Sequence, residues 1–417
     1  MDKKMVPEVR FKGFYDDWEQ VKLGNISKKI TKKNRELNNY PVLSNSAQKG
    51  IVNQNDYFDK SIAVNTNSYY VIQQNDFVYN PRISNLAPFG PIRRNNLDIS
   101  GVISPLYYCF RLNELSNVGF LDFYFKTDKW YKFMYQNGDT GARSDRIAIK
   151  DSVFQNLLLS IPNKSEPKKI SRLLKLLEDY ITLQQQQLDL YTNLKKGLLQ
   201  KLFPKDGEKV PDVRFVDFTG DWKQRNLKNV ISGDISDGDW IEKQHIFSKG
   251  EYRIIQTGNL SSEGKYKDKT NSAKFIRKND FNELKANEIF PKDILISRLA
   301  APAGRTIILP DIGHKMVTAV DITIIRPNKN FDSYYIKTLM NSNLILRRIE
   351  KKITGTTHQR ISRKNLEKTI LNVPSNIQEQ IKMGNFFKQL DKIINLENNK
   401  LENLTFLKKY LLQKLFI

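Results

Sequence analysis

The hexapeptide Leu-Leu-Gln-Lys-Leu-Phe occupies residues 198–203 and recurs unchanged at residues 411–416. The segment Val-Pro-Glu-Val-Arg-Phe at residues 6–11 likewise returns, with one acidic exchange, at residues 210–215. Two copies of each segment, about half a chain apart, indicate a two-unit duplication, because a solenoid would repeat every ~20–50 residues. The sequence therefore predicts one scaffold that is built twice.

The middles of the two halves, roughly residues 25–139 and 230–353, resemble each other far less than their ends do. One scaffold that carries two different recognition surfaces would produce matched ends and unlike middles. An old duplication that has drifted without selection is the alternative, although drift alone should not spare the ends so selectively.

The charge of the chain favours a polyanionic partner. The sequence has 417 residues, a formal net charge of +23 and an isoelectric point near 9.7. Single domains usually stop growing near ~250 residues, so at least two domains are expected. A positive excess of this size favours nucleic acid, because each neutralised phosphate releases counterions. A basic protein without a nucleic-acid partner is the alternative.

Cysteine content and hydropathy bear on the compartment. Cys109 is the only cysteine, so an internal disulfide is impossible and a reducing compartment fits. No apolar segment follows the charged N-terminus and no run of ~18 apolar residues occurs, which argues against a signal peptide and a membrane span. We expect a cytoplasmic, nucleoid-associated protein that does not contact a membrane.

Each half ends in a long helical pattern. Apolar residues recur in two series with a spacing of seven, offset by four, which is the a/d seam of a coiled coil. Antiparallel pairing within the chain is the simplest product, and two amphipathic helices in ordinary cores are the alternative. The series are Ile170, Leu177, Tyr191 and Leu198 beside Leu174, Ile181, Leu188 and Leu202, and then Leu390, Leu404 and Leu411 beside Phe387, Ile394, Leu401 and Leu415.

Polar residues interrupt both seams at equivalent places. Gln184 matches Glu397, and Lys195 matches Lys408. Polar seam residues cost stability but can fix the register and the partner of a helix. Ser375, with a glutamine three residues later, predicts a capping box at the start of the second helix.

Short apolar runs between turn residues, such as 69–72 and 294–296, predict β-rich middles with mixed sheets. The predicted class is α+β: two α/β domains, related by a pseudo-twofold axis and separated by two long helices that form an intramolecular antiparallel coiled coil. The expected boundaries are a first domain at 1–163, a first helix with its linker at 164–206, a second domain at 207–374 and a second helix at 375–417.

Loops that combine arginines, amides and hydroxyls are the candidate DNA contacts. Arginine can bind guanine through two hydrogen bonds and Asn or Gln can bind adenine, whereas Ser and Thr more often hold phosphate. A solvated loop is the alternative for any one of these residues. The candidates are Asn80, Arg82, Ser84, Asn85, Arg93 and Arg94; Thr140, Arg143, Ser144 and Arg146; Ser297 and Arg298; and Thr356, Thr357, His358, Gln359 and Arg360.

Known catalytic and metal-binding patterns are missing from the sequence. It contains no P-loop and no Gly-x-Gly-x-x-Gly fingerprint, and residues 80–83 lack the second proline and the aromatic residue of an adenine-methyltransferase loop. His245, His314 and His358 are scattered, and there is no cysteine pair, so no metal site is expected. We predict no catalytic residue. A free-standing enzyme with an unfamiliar site and an adaptor that binds DNA loosely are the alternatives.

The order of these segments resembles the specificity subunits of Type I restriction–modification enzymes, over essentially the full chain. The Val-Pro-x-Val-Arg-Phe segment leading to a tryptophan resembles the leading segment of that family. The hexapeptide at 198–203 resembles the end of its central conserved region, and residues 407–416 resemble the distal one. The chain departs from the family where Glu-Pro-Lys at 166–168 replaces the usual Glu-Gln pair, and where Tyr410 stands in the place of Gly197.

The resemblance implies that DNA recognition, methylation and cleavage are carried out by different subunits. Each middle region would be a target recognition domain that reads one half of a split, asymmetric DNA site, and the helices would measure the unread spacer. Two adenine-methylating (M) subunits would dock on the subunit and would carry S-adenosylmethionine. Motor-nuclease (R) subunits using ATP and Mg²⁺ would complete the complex. The chain itself would hold no cofactor.

Overall fold

The computed structural model describes residues 5–36, 39–58, 65–139, 145–163, 165–299, 302–356 and 359–417. The chain divides into two compact units, which we call unit 1 (residues 1–185 with 399–417) and unit 2 (residues 186–398). Both units combine small sheets with helices, so the predicted α+β class is confirmed. None of the helices in the described ranges has both the length and the apolar character needed to span a bilayer.

The first half of the chain contains ten strands and six α-helices among its described residues. The strands are β1 (Glu19–Lys22), β2 (Ser27–Lys29), β3 (Val42–Ser46), β4 (Gly50–Asn53), β5 (Tyr70–Ile72), β6 (Phe77–Tyr79), β7 (Ile92–Arg94), β8 (Gly101–Ile103), β9 (Tyr108–Leu112) and β10 (Leu158–Ile161). The helices are α1 (Leu23–Ile26), α2 (Gln54–Phe58), α3 (Val118–Tyr124), α4 (Tyr131–Asn137), α5 (Asp151–Phe154) and α6 (Glu166–Lys201).

The second half repeats these numbers within the residues that the structure describes. Its strands are β11 (Lys223–Asn226), β12 (Ile235–Asp237), β13 (Tyr252–Ile255), β14 (Lys274–Ile276), β15 (Glu288–Ile289), β16 (Ile294–Ser297), β17 (Thr306–Ile308), β18 (Lys315–Thr318), β19 (Ile322–Ile325) and β20 (Ile370–Val373). Its helices are α7 (Leu227–Ile231), α8 (Lys278–Leu284), α9 (Ser333–Met340), α10 (Asn343–Glu350), α11 (Arg363–Glu367) and α12 (Ile377–Lys414).

The sheets of the two units have the same strand order, although the middle sequences differ. Unit 1 holds the sheets β1-β10, β2-β9-β6-β7 and β4-β3-β8-β5, and unit 2 holds β11-β20, β12-β19-β16-β17 and β14-β13-β18-β15. Strands β3 and β8 are parallel, as are β13 and β18, whereas their neighbours pair antiparallel. The predicted mixed sheets are therefore confirmed, and the duplication extends through the regions whose sequences no longer show it.

Each copy of the repeated hexapeptide ends inside a hydrophobic core. Phe416 packs in unit 1 against Phe120, with ring centroids 5.1 Å apart. Phe203 packs in unit 2 against Tyr335 and Phe387, at 5.8 and 5.9 Å. Burying a phenylalanine side chain stabilises a fold by roughly 1.5–3 kcal/mol, so the repeat of this motif has a structural reason.

The repeated leading segments connect the long helices to the cores. In unit 1, the guanidinium of Arg10 donates two hydrogen bonds of 2.8 Å to the carboxylate of Glu166, at the start of α6. The backbone N–H of Val9 donates to the carbonyl of Lys414, the last residue of α12, at 3.0 Å. The leading segment therefore holds the start of one long helix beside the end of the other.

Unit 2 repeats this arrangement with the helices exchanged. The guanidinium of Arg214 donates to Glu379, in the first turn of α12, at 2.7 and 2.8 Å. The N–H of Val213 donates to the carbonyl of Lys201, the last residue of α6, at 2.9 Å. Both acidic side chains are only 1% exposed, so each depends on its arginine for charge compensation.

The seam lysines of the long helices are paired with acids of the other helix. Lys408 contacts Glu178 in unit 1 at 2.7 Å, and Lys195 contacts Asp391 in unit 2 at 2.6 Å. Within each unit the early part of one helix lies against the late part of the other, so the predicted antiparallel pairing is confirmed. The predicted cap is wrong in detail, since Asn376 and not Ser375 accepts from the backbone N–H of the first turn, at 2.9 Å.

Candidate nucleic-acid interface

Unit 1 brings two of the predicted contact loops together. Strand β6 ends at Tyr79, and the loop that follows pairs with residues 145–147 through an antiparallel bridge between Arg82 and Arg146. Backbone bonds fix the pairing: the N–H of Ile83 donates to the carbonyl of Asp145 at 2.9 Å, and the N–H of Ile147 to that of Pro81 at 3.0 Å. Two arginines distant in sequence thus share one edge.

Asn80 shapes this loop from inside the protein. Its side chain is 9% exposed; its amide oxygen accepts from the N–H of Arg82, and its amide nitrogen donates to the carbonyl of Asn45, both at 3.0 Å. Gly90 closes the loop with φ +79°, and a Cβ there would lie 2.1 Å from the carbonyl oxygen of Asn80. Glycine is therefore required at that position.

The remaining candidates in this half differ in how free their side chains are. Arg82, Ser84 and Asn85 are exposed. The guanidinium of Arg93 donates to the carbonyls of Ile92 and Ala47, at 3.0 and 2.9 Å, and burial lowers its pKa. Arg94 donates two hydrogen bonds to the amide oxygen of Asn75, at 2.9 and 2.6 Å, so both of these arginines bind protein groups.

Unit 2 repeats the loop pairing with other residues. The N–H of Ile361 donates to the carbonyl of Arg298 at 3.0 Å, and Leu299 forms an antiparallel bridge with Arg360. The hydrogen bonds match those of unit 1 when Arg298 takes the place of Pro81 and Leu299 that of Arg82. The loop after β16 therefore corresponds to the loop after β6, but an apolar side chain stands where unit 1 has an arginine.

Burial separates the candidates of unit 2 into two groups. Ser297 is fully buried and donates to the carbonyl of Leu299 at 3.3 Å. Arg298 is 7% exposed, and its guanidinium lies 3.5 Å from Asp237 and donates to the carbonyl of Val320. The exposed candidates are Thr356, Gln359 and Arg360.

Five candidates lie outside the described residues, and the DNA-contact assignment as a whole stays a prediction. Among the described candidates, the exposed side chains stand at the bridge between the two loops in each unit, whereas the buried ones support the loops. Arg360 lies 3.4 Å from Asp321 across this surface of unit 2. The candidates outside the described residues are Thr140, Arg143, Ser144, Thr357 and His358.

An aromatic cavity beside the Arg82–Arg146 bridge was not predicted from the sequence. It has a volume of about 650 Å³, is lined by Tyr70, Tyr79, Tyr107 and Tyr108 among others, and is called the tyrosine pocket below. Burial raises the pKa of three of these phenols, those of Tyr79, Tyr107 and Tyr108. Consecutive tyrosines after a Ser-Pro-Leu turn were the available sequence signal.

Comparison with known proteins shows similarity to one family. A family model described as the Type I restriction modification DNA specificity domain matches residues 219–405. The specificity subunit of the Type I restriction enzyme MjaVIII of Methanocaldococcus jannaschii is 22% identical over 274 residues, which are 64% of this chain and 63% of that protein. Over these stretches, the chain is similar to Type I restriction–modification specificity subunits.

A second relative, the putative Type I restriction enzyme MjaX specificity subunit of the same organism, is 23% identical over 283 residues, 65% of this chain and 61% of that protein. The match with these curated family members thus spans less than two thirds of their length.

Solved structures related to the family share the fold along nearly the whole chain. The Type I restriction–modification S subunit from M. genitalium has a TM-score of 0.60 at 13% identity and covers 99% of both chains. A chain from work on complex assembly and conformational transition of the Type I system has a TM-score of 0.55 at 16% identity, covering 97% of this chain and 99% of that one. At identities this low, the similarity shows only that the fold is shared.

Proposed function

We propose that this chain is a DNA sequence-specificity subunit in which each unit reads one half of an asymmetric, bipartite site. The observation that carries the proposal is the loop pairing described above: the same backbone bonds present Arg82 with Arg146 in unit 1, and Leu299 with Arg360 in unit 2. One scaffold with different side chains at the same edge is the arrangement expected for reading two unlike half-sites. The net charge of +23 supports a polyanionic ligand.

The exposed residues at these edges have the chemistry for base and phosphate contacts. An arginine that forms two hydrogen bonds with guanine discriminates among bases by ~1–3 kcal/mol, and Asn or Gln can bind adenine in the same way. Arg82, Asn85 and Arg146 are available in unit 1, and Gln359 and Arg360 in unit 2. The apolar Leu299 fits a thymine methyl group better than a guanine edge.

Matched apolar patches support the docking of two copies of one partner. In unit 1, Tyr180, Leu183 and Leu407 are exposed on the long helices. The residues 213 positions away in the repeat form the same set in unit 2, where Ile393, Leu396 and Leu194 are exposed. Exposed apolar patches on helices commonly bind other proteins. Two equivalent patches on one chain can therefore bind two copies of the same partner.

The proposed occupants are two methyltransferase (M) subunits, which carry S-adenosylmethionine, and motor-nuclease (R) subunits with ATP and Mg²⁺ complete the restriction complex. In this proposal the chain is not an enzyme and holds no cofactor of its own. The purified chain, incubated alone with DNA, S-adenosylmethionine and Mg²⁺, is expected to give no methylation and no cleavage. Turnover by the chain alone would overturn the non-catalytic part of the proposal.

The long helices are proposed to set the unread spacer between the half-sites. Helix α6 has 36 residues and α12 has 38, and each contributes residues to both units. A deletion of four residues, about one turn, from either helix is expected to change or abolish the preferred spacing. An unchanged spacing would remove this role from the helices.

Methylome sequencing of cells that express the complex tests the proposal most directly, since it reports both half-sites and the gap. Exchanging the loop at 81–89 for the corresponding loop of a relative with another target is expected to change one half-site and to leave the other and the spacer as they were. A methylation pattern that ignores the exchange, or that changes in both halves at once, would overturn the assignment. Loose binding without sequence preference would favour the adaptor instead.

A further inference from the structure

The turn between β8 and β9 presents a leucine to solvent at the rim of the tyrosine pocket. Residues 104–107 form this turn. The N–H of Tyr107 donates to the carbonyl of Ser104 at 3.1 Å, and the N–H of Leu106 donates to the hydroxyl of Ser104 at 3.3 Å. Pro105 restricts the backbone at the second position, as it does in common β-turns. Leu106 is 61% exposed, so this hydrogen-bonded turn presents an apolar side chain to solvent.

The tyrosine pocket lies directly behind this turn. Pro105, Leu106 and Tyr107 line it from the turn, and Pro81 and Ile147 line it from the two loops joined by the Arg82–Arg146 bridge. The exposed leucine, the aromatic cavity and the two arginines are therefore neighbours on one face of unit 1. The pocket also contains the ion pair of Lys29 and Asp151, which offers a donor and an acceptor to a polar ligand.

We propose that unit 1 takes one nucleobase out of the DNA stack into the tyrosine pocket, with Leu106 filling the space that the base leaves. This inference rests on the proposed function, and it adds a mode of recognition to it. Apolar side chains such as leucine are inserted between base steps by proteins that unstack DNA. An extruded base needs a recess in which aromatic side chains stack on it and polar groups bind its edge.

The chemistry of the pocket suits a nucleobase. The volume of about 650 Å³ is larger than a single base needs, so a sugar can enter in part with it. Tyr107 and Tyr70 are half-buried and leave ring surface for stacking, which is tolerant of base identity because every base has a π-face. Arg146 lies at the adjacent edge, where it can hold a phosphate beside the extruded nucleotide.

Unit 2 provides an internal comparison. Its turn has the same hydrogen bond, from the N–H of Ile322 to the carbonyl of Ala319 at 3.1 Å. Asp321 takes the place of Leu106 in this turn and is paired with Arg360, while Ile322 takes the place of Tyr107 and is fully buried. The register of β19 puts Thr323 where unit 1 has Tyr108. Base extrusion is therefore assigned to the half-site of unit 1 alone.

The test uses the assembled complex and duplexes in which 2-aminopurine replaces one base at a time across both half-sites. The fluorescence of 2-aminopurine rises when the base leaves the stack. We expect a severalfold rise at one position of the half-site read by unit 1, at a base that is not methylated. Adenines that the methyltransferase subunits modify serve as positive controls, because methyltransferases extrude their target base.

Variants separate the pocket from other causes of a signal. Tyr107→Ala is expected to abolish the rise at that position and to weaken binding about tenfold, whereas Tyr107→Phe, which keeps the stacking ring, retains both. Leu106→Ala is expected to reduce the rise severalfold. At complex concentrations that saturate the duplex, the signals at the methylated adenines and the base discrimination at the half-site of unit 2 should stay unchanged, which shows that the variants are folded.

Binding of the same duplexes, measured in parallel, distinguishes the two ways of failing. Specific binding without a rise at any unmethylated position, or a rise that Tyr107→Ala leaves intact, would overturn base extrusion and leave the proposed function standing. Absence of sequence-specific binding by the complex would overturn both.

Discussion

Unit 1 and unit 2 hold sheets of the same order, yet the side chains at their exposed loop edges differ in kind. Unit 1 presents Arg82 beside aromatic rings, whereas unit 2 presents Leu299 beside the ion pair of Arg360 and Asp321. The parts that match in sequence are those that hold the long helices and complete the cores. The duplicated scaffold therefore constrains the backbone at the loop edge of each unit but does not constrain which side chains stand there.

The strongest test of this equivalence concerns the two phenylalanines that end the repeated hexapeptides. Phe416→Ala and Phe203→Ala should each cost about 4 kcal/mol in the free energy of unfolding, because each leaves a cavity in a core. Hydrogen exchange followed by peptide is the measurement. Loss of protection confined to unit 1 for the first variant, and to unit 2 for the second, is expected. Equal loss in both units for either variant would contradict separate cores.

The next test breaks the equivalent ion pairs of the leading segments. Arg10→Ala and Arg214→Ala should each cost about 3 kcal/mol, because the carboxylates of Glu166 and Glu379 would stay buried without their partners. Chemical denaturation gives the change in free energy. As a control, Arg10→Ala combined with Glu166→Gln should recover part of the loss, since no buried charge then remains. A double variant as unstable as the single one would point to lost packing.

The seam ion pairs should differ in their dependence on pH. Burial raises the pKa of Asp391, but Lys337 and Lys195 outweigh burial and lower it to about 2. A carboxylate whose folded pKa is depressed stabilises the fold above its unfolded pKa, near 4, and loses this contribution as the pH falls towards 2. Asp391→Asn should therefore cost about 2 kcal/mol at pH 7, measured by denaturation, and progressively less below pH 4.

Glu178 is the matched comparison for Asp391. Burial raises its pKa, and Lys126 and Lys408 outweigh burial and lower it, but its side chain is 24% exposed against 9% for Asp391. Glu178→Gln should destabilise unit 1 less than Asp391→Asn destabilises unit 2, because solvent screens the more exposed pair. A larger loss of unfolding free energy for Glu178→Gln would show that burial does not decide which of the two ion pairs stabilises the protein more.

The smallest expected effect concerns DNA specificity. Arg82→Ala should lower discrimination at one base of one half-site by about 1.5 kcal/mol, roughly tenfold, and leave the other half-site unchanged. Competitive binding with single-base variants of the site measures it. Arg94→Ala is the control, because Arg94 is bound to Asn75 within the protein. A uniform loss of affinity for all sequences would identify Arg82 as a phosphate contact instead.

The repeats in the sequence were sufficient to predict the long antiparallel helices and the doubled scaffold. Seam residues such as Leu174 and Phe387 are fully buried, as their heptad positions indicated. The identical sheet order could not be predicted, because it depends on long-range strand pairs such as β3 with β8, and the middle sequences of the two halves diverge. Pattern alone shows neither partner nor register for such pairs.

The candidate site was predictable in position more than in the role of each residue. The loops after β6 and β16 were identified by their polar composition, and each pairs with a segment that carries a further candidate, Arg146 or Arg360. Composition could not show that Ser297 and Arg298 are buried, since burial depends on the packing of Asp237 and Val320 around them. The tyrosine pocket was missed because its members come from several distant segments.

The placement of Leu415 and Phe416 in the core of unit 1 has a consequence for biosynthesis. Unit 2 consists of one continuous stretch of chain, residues 186–398, whereas unit 1 needs residues 399–417 as well as the first 185. A nascent chain leaving the ribosome can therefore complete the fold of unit 2 first, while the core of unit 1 still lacks residues 399–417. We expect this topology to reverse the usual order, in which the N-terminal domain folds before those that follow it. Until residues 399–417 have left the ribosome, the aromatic residues around Phe120 are an exposed apolar surface that a chaperone can bind.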